Sequence, residues 1–445
     1  MLSCGLLGRH LTHSYSPEIH ALLYPYSYVL FEKEPEEVQD FLREGQWDGL
    51  NVTIPYKKAA YEAMDVLGKD ASRAKSVNTI IRLPDGKLYG DSTDVYGFKM
   101  MVKHSGINVA GKKALVLGSG GAALSVVSAL QDLEAAKIIV VSRKAAEAEK
   151  GFRHLDRMDA QEDGQKAERP SRTALSFCGY EETEKYRDAD VLVNATPVGM
   201  YPENGAAPID LKQFSSLSGV LDLIYNPART ALLLQAEALH IPYENGLYML
   251  VAQAKKSAEI FTGKELDDGL IDRIYAKLSL QLENIALIGM PGVGKTTAAK
   301  LICEKTGRTY IDTDEEIRKR CGITPEELIR TVGTDAFRKI ETGVLSEVSK
   351  LSGAVIATGG GIVTQKENYP LLHQNSRIVW LKRDIAALPT ENRPLSKSMS
   401  LEKMYEIRKP MYEAFADETV ELCGEADILR FLKDIGAAGM KEERR

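Results

Sequence analysis

Cysteine is scarce in this chain: 445 residues carry five, Cys4, Cys178, Cys303, Cys321 and Cys423, and no two stand in a C-x-x-C spacing. That scatter excludes a clustered zinc site and a disulfide framework, and reduced, mostly buried thiols are expected. Long hydrophobic runs are also missing. None approaches the roughly eighteen apolar residues of a spanning helix, and the first residues lack the basic flank and apolar core of a leader. The cytoplasm is the expected location, with no membrane partner. Basic charge is not in excess, since 57 Lys and Arg face 63 Asp and Glu for a net −6. Without a basic stripe, nucleic acid is not an expected partner, and a small anionic substrate would have to be met by local positive sites. No internal repeat joins the halves. The length exceeds one ordinary core, so two or three domains are expected.

Against these absences stands one dense motif, Gly289-Met290-Pro291-Gly292-Val293-Gly294-Lys295-Thr296. It fits G-x-x-x-x-G-K-S/T, preceded by the apolar run 285–288 and followed by the helix-compatible stretch 297–304. Backbone N–H groups of such a loop turn inward around phosphate oxygens, Lys295 neutralises the terminal phosphates, and the Thr296 hydroxyl is placed to ligate Mg²⁺. Gly292, Gly294, Lys295, Thr296 and Thr297 are therefore candidate ATP contacts.

A second glycine turn lies upstream. The buried-type strand 113–117 runs into Gly118-Ser119-Gly120-Gly121-Ala122-Ala123 and a helix through Leu130, matching G-x-G-x-x-G/A, the turn that seats a pyrophosphate at a helix N-terminus. The next strand, 138–141, ends in Ser142-Arg143-Lys144. An acidic residue there would suit a free ribose 2′-hydroxyl; Arg143 suits a 2′-phosphate, which favours NADP over NAD. From Ala145 to Arg172 the chain is charged and nearly without apolar periodicity, and a helix end followed by a long surface excursion is expected.

Shorter segments carry compact polar groups. Ser14 and Ser16, two apart in an extended segment, could share a carboxylate or simply cap the helix after Pro17. The strand Trp47–Ile54 ends in a proline turn that delivers Lys57, read alone as a surface charge. Asn78 and Asp94 sit at strand edges, Asp94 equally readable as a helix cap. Asn194-Ala195-Thr196-Pro197 follows a strand at the carboxyl edge of the sheet, where ligands bind in doubly wound folds. Gly246 opens a helix whose Gln253 is either a core residue or cleft-facing.

In this order these segments resemble shikimate dehydrogenase over roughly the first 275 residues. The resemblance rests on Ser14-Tyr15-Ser16-Pro17, Asn51 through Lys57, Val77-Asn78-Thr79, Gly90 through Asp94, the Gly118 turn, Asn194 through Pro197, and Gly246 through Gln253. It implies that Lys57 and Asp94 form the catalytic pair beside the ketone of 3-dehydroshikimate. Ser14 and Ser16 would hold the substrate carboxylate, and Thr53, Asn78, Tyr225 and Gln253 would line the pocket. Gly118, Gly120, Gly121, Ala122, Ser142, Arg143, Thr196 and Gly246 would border NADP(H).

After the phosphate loop, Asp312 and Asp314 end a short strand with two carboxylates expected to face one way, toward Mg²⁺ or substrate hydroxyls unless they only cap the next helix. Arg338 and Glu341 share a helical face and could be a surface ion pair. Gly359-Gly360-Gly361 permits close backbone approach to a ligand. These elements resemble shikimate kinase over about residues 284–435. The resemblance implies that Asp314, Arg338 and Arg408 bind shikimate with Gly359, Gly360 and Gly361, that Asp314 accepts from the attacking hydroxyl, and that Asp312 reaches Mg²⁺. In Asn392-Arg393-Pro394-Leu395 it makes Arg393 a lid residue over the transferring phosphoryl group. The lid is short, so its phosphate contacts are expected to rest on Arg393.

The expected fold is α/β throughout. Residues 1–97 and 229–275 form a substrate domain and 98–228 a Rossmann NADP-binding domain. A linker, 276–284, leads to a P-loop NTPase domain resembling nucleoside-monophosphate kinases at 285–437, and a charged tail closes the chain at 438–445. The expected partners are 3-dehydroshikimate and shikimate; assembly into a homo-oligomer is left open. Three rival readings are an NAD-linked quinate dehydrogenase in the first half, a ligand sensor without turnover, and a kinase of another polyol.

Overall fold

Strands of this chain sort into three sheets. The first is mixed, in the order β2-β1-β3-β5-β6-β4, from β1 (Ser3–Gly8), β2 (Ser27–Glu32), β3 (Gly49–Val52), β4 (Val66–Leu67), β5 (Thr79–Arg82) and β6 (Leu88–Asp91). The second, β12-β11-β10-β7-β8-β9, is parallel throughout: β7 (Lys113–Leu117), β8 (Lys137–Val141), β9 (Ala174–Cys178), β10 (Val191–Asn194), β11 (Gly219–Asp222) and β12 (Tyr243–Glu244). The third, also parallel, runs β14-β15-β13-β16-β17, from β13 (Asn284–Ile288), β14 (Thr309–Asp312), β15 (Ala354–Ala357), β16 (Ser376–Lys382) and β17 (Glu418–Glu421). These come from a computed structural model that describes residues 1–11, 14–158, 173–388 and 400–438.

Parallel sheets have both faces covered, so their strands read as unbroken apolar runs. In the second sheet the period of two divides each run between two cores. Ala114, Val116, Ile138, Val140, Val191 and Val193 join one cluster, and Leu115, Leu117, Ile139, Val141 and Leu192 join the other. Both β7 and β13 have neighbours on each side whose connections depart in opposite directions. The loops after these strands therefore open at the switch points of their sheets.

The chain divides into two compact units. One comprises Met1–Gly199, Ala206–Tyr225 and Leu232–Ala276; the other comprises Met200–Gly205, Asn226–Ala231 and Lys277–Arg445. The first therefore holds the mixed sheet and the second sheet together. Two expected boundaries move. The second sheet continues past residue 228, because β12 pairs with β11 and the helix Ala231–Ala238 buries Leu232, Leu233 and Ala236 in that sheet's core. The stretch expected to link the halves is helical, since Gly269–Leu282 is one helix and β13 starts at Asn284.

The region after Arg143 also differs from expectation. Ala145–Met158 is a helix, with Ala148, Phe152 and Leu155 buried at helical spacing and Phe152 edge-on to Phe177 of β9 at 5.8 Å. Each fully buried side chain of that size contributes on the order of 1.5–3 kcal/mol, enough to fix a helix whose other positions are largely small or charged. Residues 159–172 of the expected excursion lie outside the described residues, as does most of the charged tail. Of the cysteines, Cys4 and Cys178 are buried, Cys303 and Cys321 are half-buried and Cys423 is exposed, so the expectation of mostly buried thiols holds for two. No helix among the described residues is long and apolar enough to cross a membrane.

Two candidate active sites

In the first unit the polar segments converge. Lys57, the first residue of the helix Lys57–Ala63, places its ammonium 2.7 Å from Asp94 Oδ2, and Asp94 opens the helix Asp94–Ser105. Asp94 is almost fully buried while a quarter of Lys57 stays exposed, so the pair points its cation outward. Asn78 fixes the other carboxylate oxygen. Its Nδ2 lies 2.9 Å from Asp94 Oδ1, and its Oδ1 accepts the Thr93 N–H at 2.9 Å, which determines the amide's orientation. Gln253 Oε1 stands 3.4 Å from the same Nδ2, so Gln253 is tied to this cluster rather than to a separate core. Asp94 is both things the sequence offered: a helix start and half of an ion pair.

The approach from the N-terminus departs from the expected extended geometry. Tyr15 is in the helical region, and the Ser16 N–H donates to Ser14 Oγ at 3.3 Å, so the serines form a turn into the helix Ser16–Leu23. Ser16 is hydrogen-bonded to Tyr28, whose hydroxyl donates to Asn51 Oδ1 at 2.8 Å. Tyr15 meets Tyr225 edge-on at 6.1 Å; burial, then Tyr15, raise the Tyr225 pKa above its ordinary value. Thr53 follows β3, its N–H donating to the Leu7 carbonyl.

At the mouth of the second sheet Gly118 has φ +104°, and a Cβ there would stand 2.9 Å from the Ala195 carbonyl oxygen. Only glycine combines that dihedral with that approach. Gly120 caps and Gly121 and Ala122 begin the helix Gly121–Asp132, whose first N–H groups face the loop. Ser142 Oγ lies 3.0 Å from Ser119 Oγ, joining the tip of β8 to the glycine turn, and Arg143 beside it is exposed. Thr196 donates through both its N–H and its hydroxyl to Asn194 Oδ1. Gly246 caps the helix Leu247–Thr262, where a Cβ would stand 2.0 Å from the Leu223 carbonyl oxygen. These features fit a dinucleotide: room at the turn, free helix N–H groups and an exposed guanidinium where a 2′-phosphate would lie.

In the second unit a cavity of about 670 Å³ gathers the predicted residues: Gly292, Gly294, Lys295, Thr296, Thr297, Asp312, Asp314, Arg338, Gly359, Gly360, Gly361 and Arg408 all line it. Gly292 and Gly294, at φ +78° and +106°, turn the loop, and Lys295 opens the helix Lys295–Thr306 with its ammonium on the carbonyls of Gly289 and Met290 at 2.8 and 3.0 Å. The two acids are not strand neighbours facing one way. Asp312 caps the helix Thr313–Cys321, accepting from the N–H groups of Asp314 and Glu315, while its other oxygen lies 3.3 Å from the Thr296 hydroxyl. Asp314 sits in the first helical turn. Burial, then the neighbouring Asp312 charge, raise its pKa above the usual carboxylate value, against Lys295 and Arg338.

Arg338 and Glu341 are not a surface pair either. Both are buried and ion-paired one turn apart, and burial raises the Glu341 pKa despite the arginine. Arg408 Nη1 and the Tyr412 hydroxyl both donate to the Gly360 carbonyl, at 2.9 and 2.6 Å, from one face of the helix Leu401–Phe415. Sequence reading missed Tyr412 in the kinase cluster and Asn51, Thr79, Thr93 and Ser257 in the other. The i+4 spacing of Tyr412 from Arg408 and of Ser257 from Gln253 was the available signal. Arg393 lies outside the described residues. Among those described, no three His, Cys, Asp or Glu side chains cluster as a metal cage. The Thr296–Asp312 pair fits a cation held partly by nucleotide phosphates instead.

Fold and sites define two enzyme units in one chain, a nicotinamide-nucleotide oxidoreductase and a P-loop phosphotransferase. Residues 6–80 match the shikimate dehydrogenase substrate binding domain, and residues 291–433 match the shikimate kinase family. A shikimate dehydrogenase (NADP(+)) of Clostridium perfringens is 34% identical over 282 residues, covering 62% of this chain and 97% of that protein. A chorismate mutase/shikimate 5-dehydrogenase fusion protein from Clostridium acetobutylicum has a solved structure with 32% identity and TM-score 0.56, covering 63% of this chain and 98% of that one. A shikimate 5-dehydrogenase from Thermus thermophilus, solved with NADP(H) and shikimate, gives 29% and 0.53, over 62% and 99%. The chain belongs to the shikimate dehydrogenase family and carries a C-terminal domain of the shikimate kinase family.

Proposed function

We propose that this chain catalyses two consecutive reactions: NADPH-dependent reduction of 3-dehydroshikimate to shikimate, and ATP-dependent phosphorylation of shikimate at the 3-hydroxyl. The observation that carries the first is the buried Asn78–Asp94–Lys57 chain, which ends in a partly exposed ammonium. NADPH, when bound, supplies the hydride to the ketone carbon. Negative charge then develops on the carbonyl oxygen, and Lys57 gives that oxygen its proton. Asp94 orients Lys57 and accepts from a substrate hydroxyl. Ser14 and Ser16 bind the carboxylate, with Thr53, Tyr225 and Gln253 around the ring. Arg143 supports NADP over the NAD of a quinate-type enzyme.

In the second unit Arg338 and Arg408 grip the shikimate carboxylate in the fork geometry that suits guanidinium, and the glycines 359–361 close one wall. Asp314 accepts the proton of the attacking hydroxyl, a role its raised pKa favours. ATP with Mg²⁺ supplies the phosphoryl group and neutralises its charge. Lys295 holds the terminal phosphates, Thr296 and Asp312 hold the cation, and Arg393 covers the transferring group. Intact Lys57, Asp94, Lys295, Asp314 and Arg338 weigh against a sensor without turnover, and paired arginines weigh against an uncharged polyol.

The test is a coupled assay on the full chain with 3-dehydroshikimate, NADPH, ATP and Mg²⁺, measuring shikimate 3-phosphate. Lys57→Ala should stop NADPH oxidation while added shikimate is still phosphorylated, and Lys295→Ala should do the reverse. NADPH consumption without ester would sink the acceptor assignment for the second unit.

A further inference from the structure

One buried hydroxyl beside the dehydrogenase cluster has no role in the reaction as described. Ser257 lies one turn after Gln253 on the helix Leu247–Thr262 and is 1% exposed. Its Oγ is within 3.2 Å of four groups: Asn51 Nδ2 at 2.9 Å, Thr79 Oγ1 at 2.7 Å, Thr93 Oγ1 at 3.2 Å and the Gln253 carbonyl at 3.0 Å. It thus joins β3, β5, the turn before Asp94 and the helix carrying Gln253.

A serine hydroxyl has one proton and two lone pairs, so the contacts can be assigned. Asn51 Nδ2 also faces the Asn78 carbonyl at 3.1 Å, which can only accept, so that nitrogen is the donor to Ser257. The Ser257 proton goes to the Gln253 carbonyl, so Ser257 accepts from one of the two threonine hydroxyls, Thr79 or Thr93. Both threonine hydroxyls also reach Asn78 Oδ1, at 3.0 Å from Thr79 and 3.2 Å from Thr93, so the one that does not donate to Ser257 donates there, beside the Thr93 N–H. With that oxygen doubly occupied, the Asn78 amide cannot flip, and Nδ2 is committed to Asp94.

We propose that Ser257 is a positioning residue of the dehydrogenase site, fixing the Thr79 and Thr93 hydroxyls against the Asn78 amide and, through that amide, the carboxylate that holds Lys57. The inference rests on the reading of Lys57 and Asp94 as the reacting pair. Ser257 is 1% exposed and its hydroxyl contacts lie on protein groups, so its loss is expected to act on the chemical step rather than on ligand binding.

The experiment uses the full chain with Ser257→Ala and Ser257→Cys. Cysteine keeps the volume but is only a weak donor and acceptor. Both substitutions should lower kcat for ketone reduction about tenfold and leave KM for NADPH unchanged. Phosphorylation of added shikimate by the same molecules should stay at the wild-type rate, which checks folding of the preparation. If Ser257→Cys matches wild type while Ser257→Ala does not, the side chain only fills space and the inference falls. An active wild type with unchanged kcat in both variants overturns it alone. A wild-type chain that does not reduce the ketone overturns the underlying reading as well.

Discussion

Single residues in the first unit couple stability to pH through His20. Its ring is 1% exposed, stacked on Tyr28 at 4.0 Å, with Nδ1 2.5 Å from the Tyr26 hydroxyl. Burial pulls its pKa from 6.5 down to about 3, against a hydrogen bond with Asn51. The folded-state value is the lower one, so between these limits the unfolded chain takes up a proton that the folded chain refuses. His20 therefore favours folding in full above pH 6.5. That contribution is lost as pH falls toward 3, by at most about 1.4 kcal/mol per unit. Replacing His20 with Phe should flatten this part of the acid dependence, whatever it does to stability at neutral pH. Trp47 lies in the first unit and Trp380 in the second, so urea titrations by Trp47 fluorescence in a Trp380→Phe background would read it. An unchanged slope would refute the assignment. The glycine motif around Lys295 was legible in the sequence, whereas Lys57, Asp94 and Arg338, read alone as a surface charge, a helix cap and a surface ion pair, became candidates through the family resemblance. The burial of the Arg338–Glu341 pair was not legible, because an i,i+3 ion pair reads identically on a solvated face.

At the scale of elements, the strands 113–117 and 285–288 that lead into the two glycine turns were legible, since central parallel strands are unbroken apolar runs. Sequence reading failed where local chemistry competes with pattern. Ser14 and Ser16 fold into a turn because a serine oxygen can accept from the N–H two residues on. The helix Ala145–Met158 hid its three buried side chains among charges. The glycine run 359–361 was legible as a close approach, and the structure specifies to what. A Cβ on Gly361 would stand 2.0 Å from Arg338 Nη2, and that guanidinium is buried and held by Glu341. Gly361→Ala should therefore displace Arg338, raising KM for shikimate tenfold or more with KM for ATP little changed, at a stability cost of about 1–3 kcal/mol. Gly343 lies in the same helix as Arg338 with nothing within 4 Å of its Cβ position. Gly343→Ala should instead stabilise by about 0.4–1 kcal/mol and leave both KM values alone. Equal effects from the two substitutions would show that the close approach to Arg338 is not what matters.

For the whole molecule, the two units meet developing negative charge by different means, and one chain should therefore respond to chelation in only one of its reactions. Ketone reduction places a single charge on one oxygen, and a lysine 2.7 Å from a buried carboxylate can protonate that oxygen. Phosphoryl transfer spreads charge over several oxygens. Lys295 is a single cation for them, and the Thr296 hydroxyl and Asp312 carboxylate beside it supply oxygen ligands of the kind Mg²⁺ takes with nucleotide phosphates. With all substrates present, EDTA in excess over Mg²⁺ should abolish shikimate 3-phosphate while NADPH oxidation continues, and shikimate should accumulate mole for mole with the NADPH consumed. Once the NADPH is spent, restoring Mg²⁺ should convert the accumulated shikimate to ester. Asp312→Asn should raise the Mg²⁺ concentration needed for half-maximal ester formation and leave reduction untouched, because Asp312 belongs to the second unit and Lys57 with Asp94 to the first. A parallel loss of both activities on chelation would mean that the first unit also depends on a divalent cation, and the assignment of Lys57 as sufficient proton donor would have to be abandoned.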